Sequence, residues 1–155
     1  MRIYQFRVSI IGIPKLYRII EASEDCTFDD FHDAIFQAFD RYDDHLYSFF
    51  ITRKDTKNTR SIYDAPEITH PLDTEDFMGF GKKKQSTSKT RIGDVNLNEN
   101  DVFYYLFDFG DDWWHRIRVQ SINETTSKKK HIKLIKSVGE SPPQYPDYDD
   151  DGEYE

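Results

Sequence analysis

One cysteine, Cys26, is the only thiol in a chain of 155 residues. A lone thiol excludes an intrachain disulfide and a cysteine-based zinc site, and it fits a reducing cytoplasm. Long apolar runs are missing too, since none approaches the roughly 18 residues that a membrane helix needs. The opening "MRIYQFRVSI" alternates polar and apolar residues and lacks the basic-then-apolar order of an export signal. The expectation is a cytoplasmic protein without a membrane partner. Familiar reaction signatures are also absent: there is no glycine loop to cradle phosphates, no Gly-x-Ser-x-Gly elbow and no His-Glu-x-x-His pair. No cofactor is expected.

Basic charge is missing from one end. From Ser137 to Glu155 the chain has seven acidic residues and no Lys or Arg, within a net charge of -8. The remainder is close to neutral, so residues 1–139 read as one domain and 140–155 as an acidic tail. Overall acidity argues against a dedicated DNA-binding domain, which is usually strongly basic. Two local clusters run the other way. "GKKKQSTSKTR" carries Lys82, Lys83, Lys84, Lys89 and Arg91, and "SKKKHIKLIK" carries five more lysines. Such loops can attract nucleic acid or the acidic tail, although solvated charge is the plainer reading.

What the chain has in quantity is rings. Aromatic residues make up 15%, with 12 Phe and 10 Tyr, and they offset a modest 37% hydrophobic content because each buried ring removes a large area from water. In "IYQFRVSII" the apolar set Tyr4, Phe6, Val8 and Ile10 alternates with Gln5, Arg7 and Ser9, the period of a half-buried strand. Gly12 and Pro14 mark a turn and "LYRIIEA" the return strand, so residues 3 to 22 predict a hairpin.

Thr27 and Asp30 form a shortened capping box ahead of a helix. Phe28, Phe31, Ala34, Ile35, Ala38, Phe39 and Tyr42 share one helical face. Asp29, Asp30 and Asp33 favour the helix N-terminus. "HLYSFFI" predicts a strand, and Val102 to Phe109 a central strand covered on both faces. "HRIRVQSI" and "HIKLIKSVG" predict two more. Between them, residues 52–91 read as a long excursion with one short helix near "DTEDFMG".

The densest chemistry lies in "FDFGDDWWH", Phe107 to His115. Two hairpin registers are open: Asp108 faces His115 across a four-residue loop, or Arg116 across a five-residue loop. One reading makes the segment a turn, with Gly110 at positive φ and the tryptophans closing the core end. The other gathers Asp108, Asp111, Asp112 and His115 as a metal or acid-base cluster, although their spacing matches no metal motif. His32 and His45 read as structural histidines and Cys26 as a small packed residue.

The segments "IPKLYRIIEASEDCTFDDFHDAIFQAF", "DDHLYSFFI" and "FYYLFDFGDDWWHRIRV" together resemble the plasmid pRiA4b ORF-3-like family, also met as passengers of mobile elements. Pro14, Tyr17-Arg18, Phe31-His32, His45-Leu46 and Phe107 to His115 carry the resemblance, which covers most of residues 3 to 122. Where many members end in a Cys-Pro-Pro-Glu-Asp-Cys-Gly-Gly-like segment, this chain keeps Pro142-Pro143 without the cysteines. The resemblance implies an α+β fold, with an antiparallel or mixed β-sheet packed on one main helix, β-grasp-like. It implies no reaction, and a nucleic-acid context only by association.

The function expected first is a non-enzymatic module that binds a protein or peptide through Arg18, His45, Asp108, Asp111, Asp112, Trp113 and His115. That reading needs tryptophans that are not fully buried and a cleft beside the aspartates. Nucleic-acid binding through Lys82 to Arg91 comes second. A metal-dependent hydrolase or nuclease using Asp108, Asp111, Asp112 and His115 comes third.

Overall fold

The computed structural model describes residues 1–71, 84–108 and 112–144. β1 (Arg2–Ile10) and β2 (Ile13–Ser23) form the first hairpin, α1 (Phe28–Ala38) follows, and β3 (Tyr47–Arg53) returns to the sheet. After it come α2 (Thr59–Asp64), β4 (Glu67–Thr69), β5 (Lys84–Ser86) and a 3-10 turn at Ile92–Val95. β6 (Val102–Phe107), β7 (Trp113–Glu124) and β8 (Ile132–Val138) complete the described elements. These strands make one sheet in the order β5-β4-β3-β6-β7-β1-β2-β8, antiparallel except for the β4–β5 pair. The fold is α+β, with a mixed sheet packed on one main helix. No described helix is long and apolar enough to cross a membrane.

The first hairpin turns at Ile11 and Gly12, where Gly12 takes φ +95, a region that costs glycine nothing. The Ile11 amide donates to the Trp114 carbonyl at 3.0 Å and ties the hairpin tip to β7. α1 starts as its capping box predicts: the Asp30 amide donates to Thr27 Oγ1 at 3.0 Å, and the Thr27 amide to Asp30 Oδ2 at 2.9 Å. Its apolar stripe then meets the sheet. The Phe31 ring lies 4.6 Å from Phe6 and 5.6 Å from Phe49, centroid to centroid, in a core where all three are fully buried. Each such ring is worth roughly 1.5–3 kcal/mol relative to exposure.

The stripe ends before Tyr42, which was expected on it but is exposed. Asp40 adopts a left-handed φ of 56 and stops the helix. Its amide donates to Gln37 O and the Arg41 amide to Phe36 O, the paired bonds of a Schellman motif.

β6 is buried along its whole length. Phe103, Tyr105 and Phe107 face α1, while Val102, Tyr104 and Leu106 join Phe50 and Ile62 in a second, smaller cluster on the far side. The far side therefore has two parts. α2 and the chain before it cover β3 and β6, whereas β7, β1, β2 and β8 present Arg116, Arg118, Arg7, Tyr17 and Lys136, half-buried or exposed.

Within residues 52–91 lie α2, β4 and β5, which the sequence pattern did not suggest. Three-residue strands are too short to show a period; β4 is held by register with β3, and β5 by register with β4. The short helix expected near Asp73 to Gly79 falls outside the described residues.

Candidate functional site

The Schellman turn that ends α1 sends the Arg41 side chain inward, to the position that usually makes an apolar contact. Its guanidinium lies 4.4 Å from the Trp113 ring centroid and 5.9 Å from those of Phe39 and Phe107. Arg41 is 7% exposed, and its Nη1 donates to no group among the described residues. Nη2 approaches His115 Nε2 at 3.4 Å. A guanidinium can only donate, so Nε2 accepts and the imidazole proton sits on Nδ1, which donates to the Trp113 carbonyl at 3.0 Å. Complete burial, followed by the charge of Arg41, pushes the His115 pKa down to about 3. The ring is neutral, with both nitrogens engaged.

Both hairpin registers expected from the sequence are wrong. Tyr105 pairs His115, Leu106 pairs Trp114 and Phe107 pairs Trp113, and there the ladder ends. Asp108 leaves the strand with φ 64, a conformation Asp tolerates because its short polar side chain bonds locally. Its amide donates to Leu46 O at 3.0 Å, and its carbonyl accepts from the Asp112 amide at 2.7 Å, closing the loop. Asp112 also has positive φ, at 55. Gly110 and Asp111 lie outside the described residues. Asp108 thus opposes neither His115 nor Arg116; its carboxylate stands 3.5 Å from His45 Nε2.

Of the residues expected to form one exposed patch, three are buried: Arg18, Asp108 and His115. Arg18 is buried and joins three parts of the fold. Its Nε donates to Ala38 O at 2.9 Å at the end of α1, Nη1 to Tyr17 O and Val138 O at 3.0 Å, and Nη2 to Ser141 Oγ at 3.0 Å. His115 is sealed beside Arg41. Trp113 is half-buried, with Nε1 donating to Gln144 O at 3.2 Å, and His45, Asp108 and Asp112 remain at the hairpin end. With His115 turned toward a cation, it does not join Asp108 and Asp112 as a ligand set, and no group of three His, Cys, Asp or Glu suited to a metal occurs among the described residues.

The basic loop is not gathered either. Lys84 lies in β5, 4.0 Å from Glu67, while Lys89 sits in an exposed turn and Arg91, also exposed, bridges to Thr27. Lys82 and Lys83 are outside the described residues. His32 and Cys26 are buried as expected of structural groups. His32 stacks on Tyr47 at 3.6 Å and bonds Tyr105 Oη at 2.6 Å, and burial lowers its pKa to about 4. Burial pushes the Cys26 thiol up.

A cleft lies on the far side of the sheet, one residue along the motif. Trp114 points opposite to Trp113 and packs on Phe50 and Tyr63, with centroids 5.7 and 5.5 Å apart. Beside it opens a cleft of about 590 Å³ between the β1–β2 turn and the chain leading into α2. Ile11, Pro14, Ile62 and Trp114 give it apolar walls, and Tyr104 and Arg116 line it from the sheet. Asp55 anchors its polar side: it accepts from Arg116 Nε and Nη2 at 3.0 Å each and from Tyr104 Oη at 2.8 Å. Ile11, Ile13 and Tyr63 are 40 to 50% exposed. Sequence reasoning missed this cleft. The alternation of "WWHRIRV" does put Trp114 and Arg116 on one face, but nothing marked Asp55 as their neighbour.

A family model described as plasmid pRiA4b ORF-3-like protein matches residues 2–154. Among solved structures, the chain is similar to a protein of unknown function from Methanosarcina mazei Go1, at 26% identity and a TM-score of 0.70, covering 92% of this chain and 72% of that one. No curated protein matches.

Proposed function

Since the chain belongs to the uncharacterised plasmid pRiA4b ORF-3-like family, we propose that it is a non-enzymatic interaction module that holds a protein or peptide segment in the cleft beside Trp114. A plasmid or mobile-element setting, implied by the family, belongs to the same reading. The observation that carries it is the cleft itself: about 590 Å³, with an indole and three aliphatic side chains on its walls and one fixed ion pair at its side. Half-exposed aromatic anchors beside a few oriented polar groups are what peptide and protein interfaces use as hot spots. Ile11, Ile13 and Tyr63 extend the apolar surface, so an apolar anchor residue has somewhere to continue. The hairpin-end group of His45, Asp108, Asp112 and Trp113 contributes through its backbone frame, which sets where Trp114 points.

Selection of a displayed random peptide library on the immobilised full chain tests this. Enriched peptides are expected to share an apolar anchor, to bind with Kd in the micromolar range, and to lose about tenfold or more in affinity to Trp114→Ala and to Ile11→Asp. Failure to enrich any sequence, or peptides that bind both variants as tightly as the parent, sinks the reading.

A further inference from the structure

We propose that the uncovered half of the sheet, formed by β7, β1, β2 and β8, is a docking surface for single-stranded nucleic acid. Register places the cations side by side. Arg7 lies opposite Arg118 on one side and Ile19 on the other, and Ile19 lies opposite Lys136. One row across four strands therefore reads Arg118, Arg7, Ile19, Lys136, spanning roughly 14 Å at the usual strand spacing. The adjoining row brings Arg116 opposite Ser9, and Ser9 opposite Tyr17.

Like charges placed directly opposite on neighbouring strands weaken the pairing. Arg7 and Arg118 are such a pair, and neither has a carboxylate within ion-pair distance among the described residues. Arg118 donates to Asn100 Oδ1 at 3.2 Å, and Arg7 stands 3.7 Å over the Tyr17 ring. Glu21 accepts from Gln5 at 3.0 Å and lies 2.9 Å from His131, and Asp55 is held by Arg116, so both are engaged elsewhere. A phosphate between Arg7 and Arg118 neutralises the repulsion that the fold leaves unopposed. In a chain of net charge -8, this face is a local excess of positive charge.

The stacking favours unpaired bases over a duplex. Arg7 on Tyr17 is a planar cation supported by a ring, and Lys136 lies 6.0 Å from the same ring. Unpaired bases stack on guanidinium and aromatic planes, whereas a duplex keeps its base faces inside. An open sheet also lets the backbone cross several strands, so its phosphates meet the row in succession. The row of Arg118, Arg7, Ile19 and Lys136 shares no residue with the walls of the Trp114 cleft, which the adjoining row meets at Ser9 and Arg116.

The test is fluorescence anisotropy with a labelled oligo-dT of about 20 nucleotides and the full chain, at low and at physiological salt. Binding is expected at low salt, falling steeply as salt rises. The double variant Arg7→Gln, Arg118→Gln weakens it about tenfold or more, Lys136→Glu weakens it several-fold, and Lys54→Gln, an exposed lysine beyond the end of β3, leaves it unchanged. Lys136 is exposed on an edge strand, so Lys136→Glu decides the question if the double variant melts early. The proposal is overturned by the absence of binding at low salt, by full affinity in the natively folded double variant, or by duplex DNA or heparin binding as tightly as oligo-dT. Peptide selection on Trp114 can fail or succeed without altering any of these readings.

Discussion

Arg41 presents Nη2 to Nε2 of His115 at 3.4 Å while its Nη1 is enclosed without a partner among the described residues. A buried cation of this kind is retained against desolvation, and burial lowers its pKa. Arg41→Met keeps most of the volume and removes the charge. The His115 pKa, held near 3 by burial first and Arg41 second, should rise in the variant yet stay below 6.5 because burial persists. Titration of the His115 ring signals by NMR reads this directly. Stability should change by no more than about 1 kcal/mol, since replacing an unpaired buried charge with an apolar side chain is often neutral. A loss above about 3 kcal/mol would show that Arg41 has a counter-charge.

Acid sensitivity follows from the same burial. His32 and His115 have folded pKa values of about 4 and about 3, against 6.5 when unfolded. Between pH 6.5 and 4 the unfolded chain binds more protons than the folded one, so stability falls as pH falls through that window. Each histidine contributes up to about 1.4 kcal/mol per pH unit, and above pH 6.5 the contribution is fully present. Urea unfolding at pH 7, 6 and 5 should show this slope, flattened in His115→Gln and in His32→Gln. An unchanged slope in both variants would mean that the rings take up protons while folded.

Much of the fold was legible because its signals are local. β1 showed its alternation, β6 its unbroken apolar run, and α1 its cap and stripe, and each becomes an element with nearly the expected bounds. What failed depended on groups distant in sequence. The hairpin register could not be read because Phe107 to Trp114 offers aromatic residues at several offsets, and Asp108 ends the strand by bonding Leu46, 62 positions earlier. Arg18 was misplaced for a similar reason. It pairs Val8 on the α1 side of the sheet, where the carbonyl of Ala38 and the return of Val138 and Ser141 meet its guanidinium. The cleft was invisible because Asp55 meets Arg116 across 61 positions.

The capping box makes a further prediction. Thr27 and Asp30 satisfy each other's amides, and Asp30 also lies 2.8 Å from Lys130 Nζ. Thr27→Ala should destabilise by about 1 kcal/mol, the usual worth of an N-cap. Asp30→Ala should cost a similar amount, and the double variant less than the two losses combined, because both bonds hold the same first turn and the second holds less once the first is lost. Denaturant midpoints of the four proteins give the coupling. Strict additivity would mean that the two bonds form independently.

Asp55 links the cleft to the basic face. It holds Arg116 by two bonds and receives the Tyr104 hydroxyl, which together keep its carboxyl below the usual range. Its side chain is 62% exposed, so the ion pair adds little stability, and Asp55→Asn should cost about 0.5–1 kcal/mol. The same change leaves Arg116 without its counter-charge, one row from Arg7 and Arg118. Oligo-dT affinity at low salt should then rise about two- to fivefold, and the dependence of log K on log salt should steepen by up to about 0.7, the increment for one more phosphate contact on a single strand. A steeper slope therefore puts Arg116 on the nucleic-acid path. An unchanged slope with unchanged affinity confines that path to the row of Arg118, Arg7 and Lys136, and leaves Arg116 to the cleft.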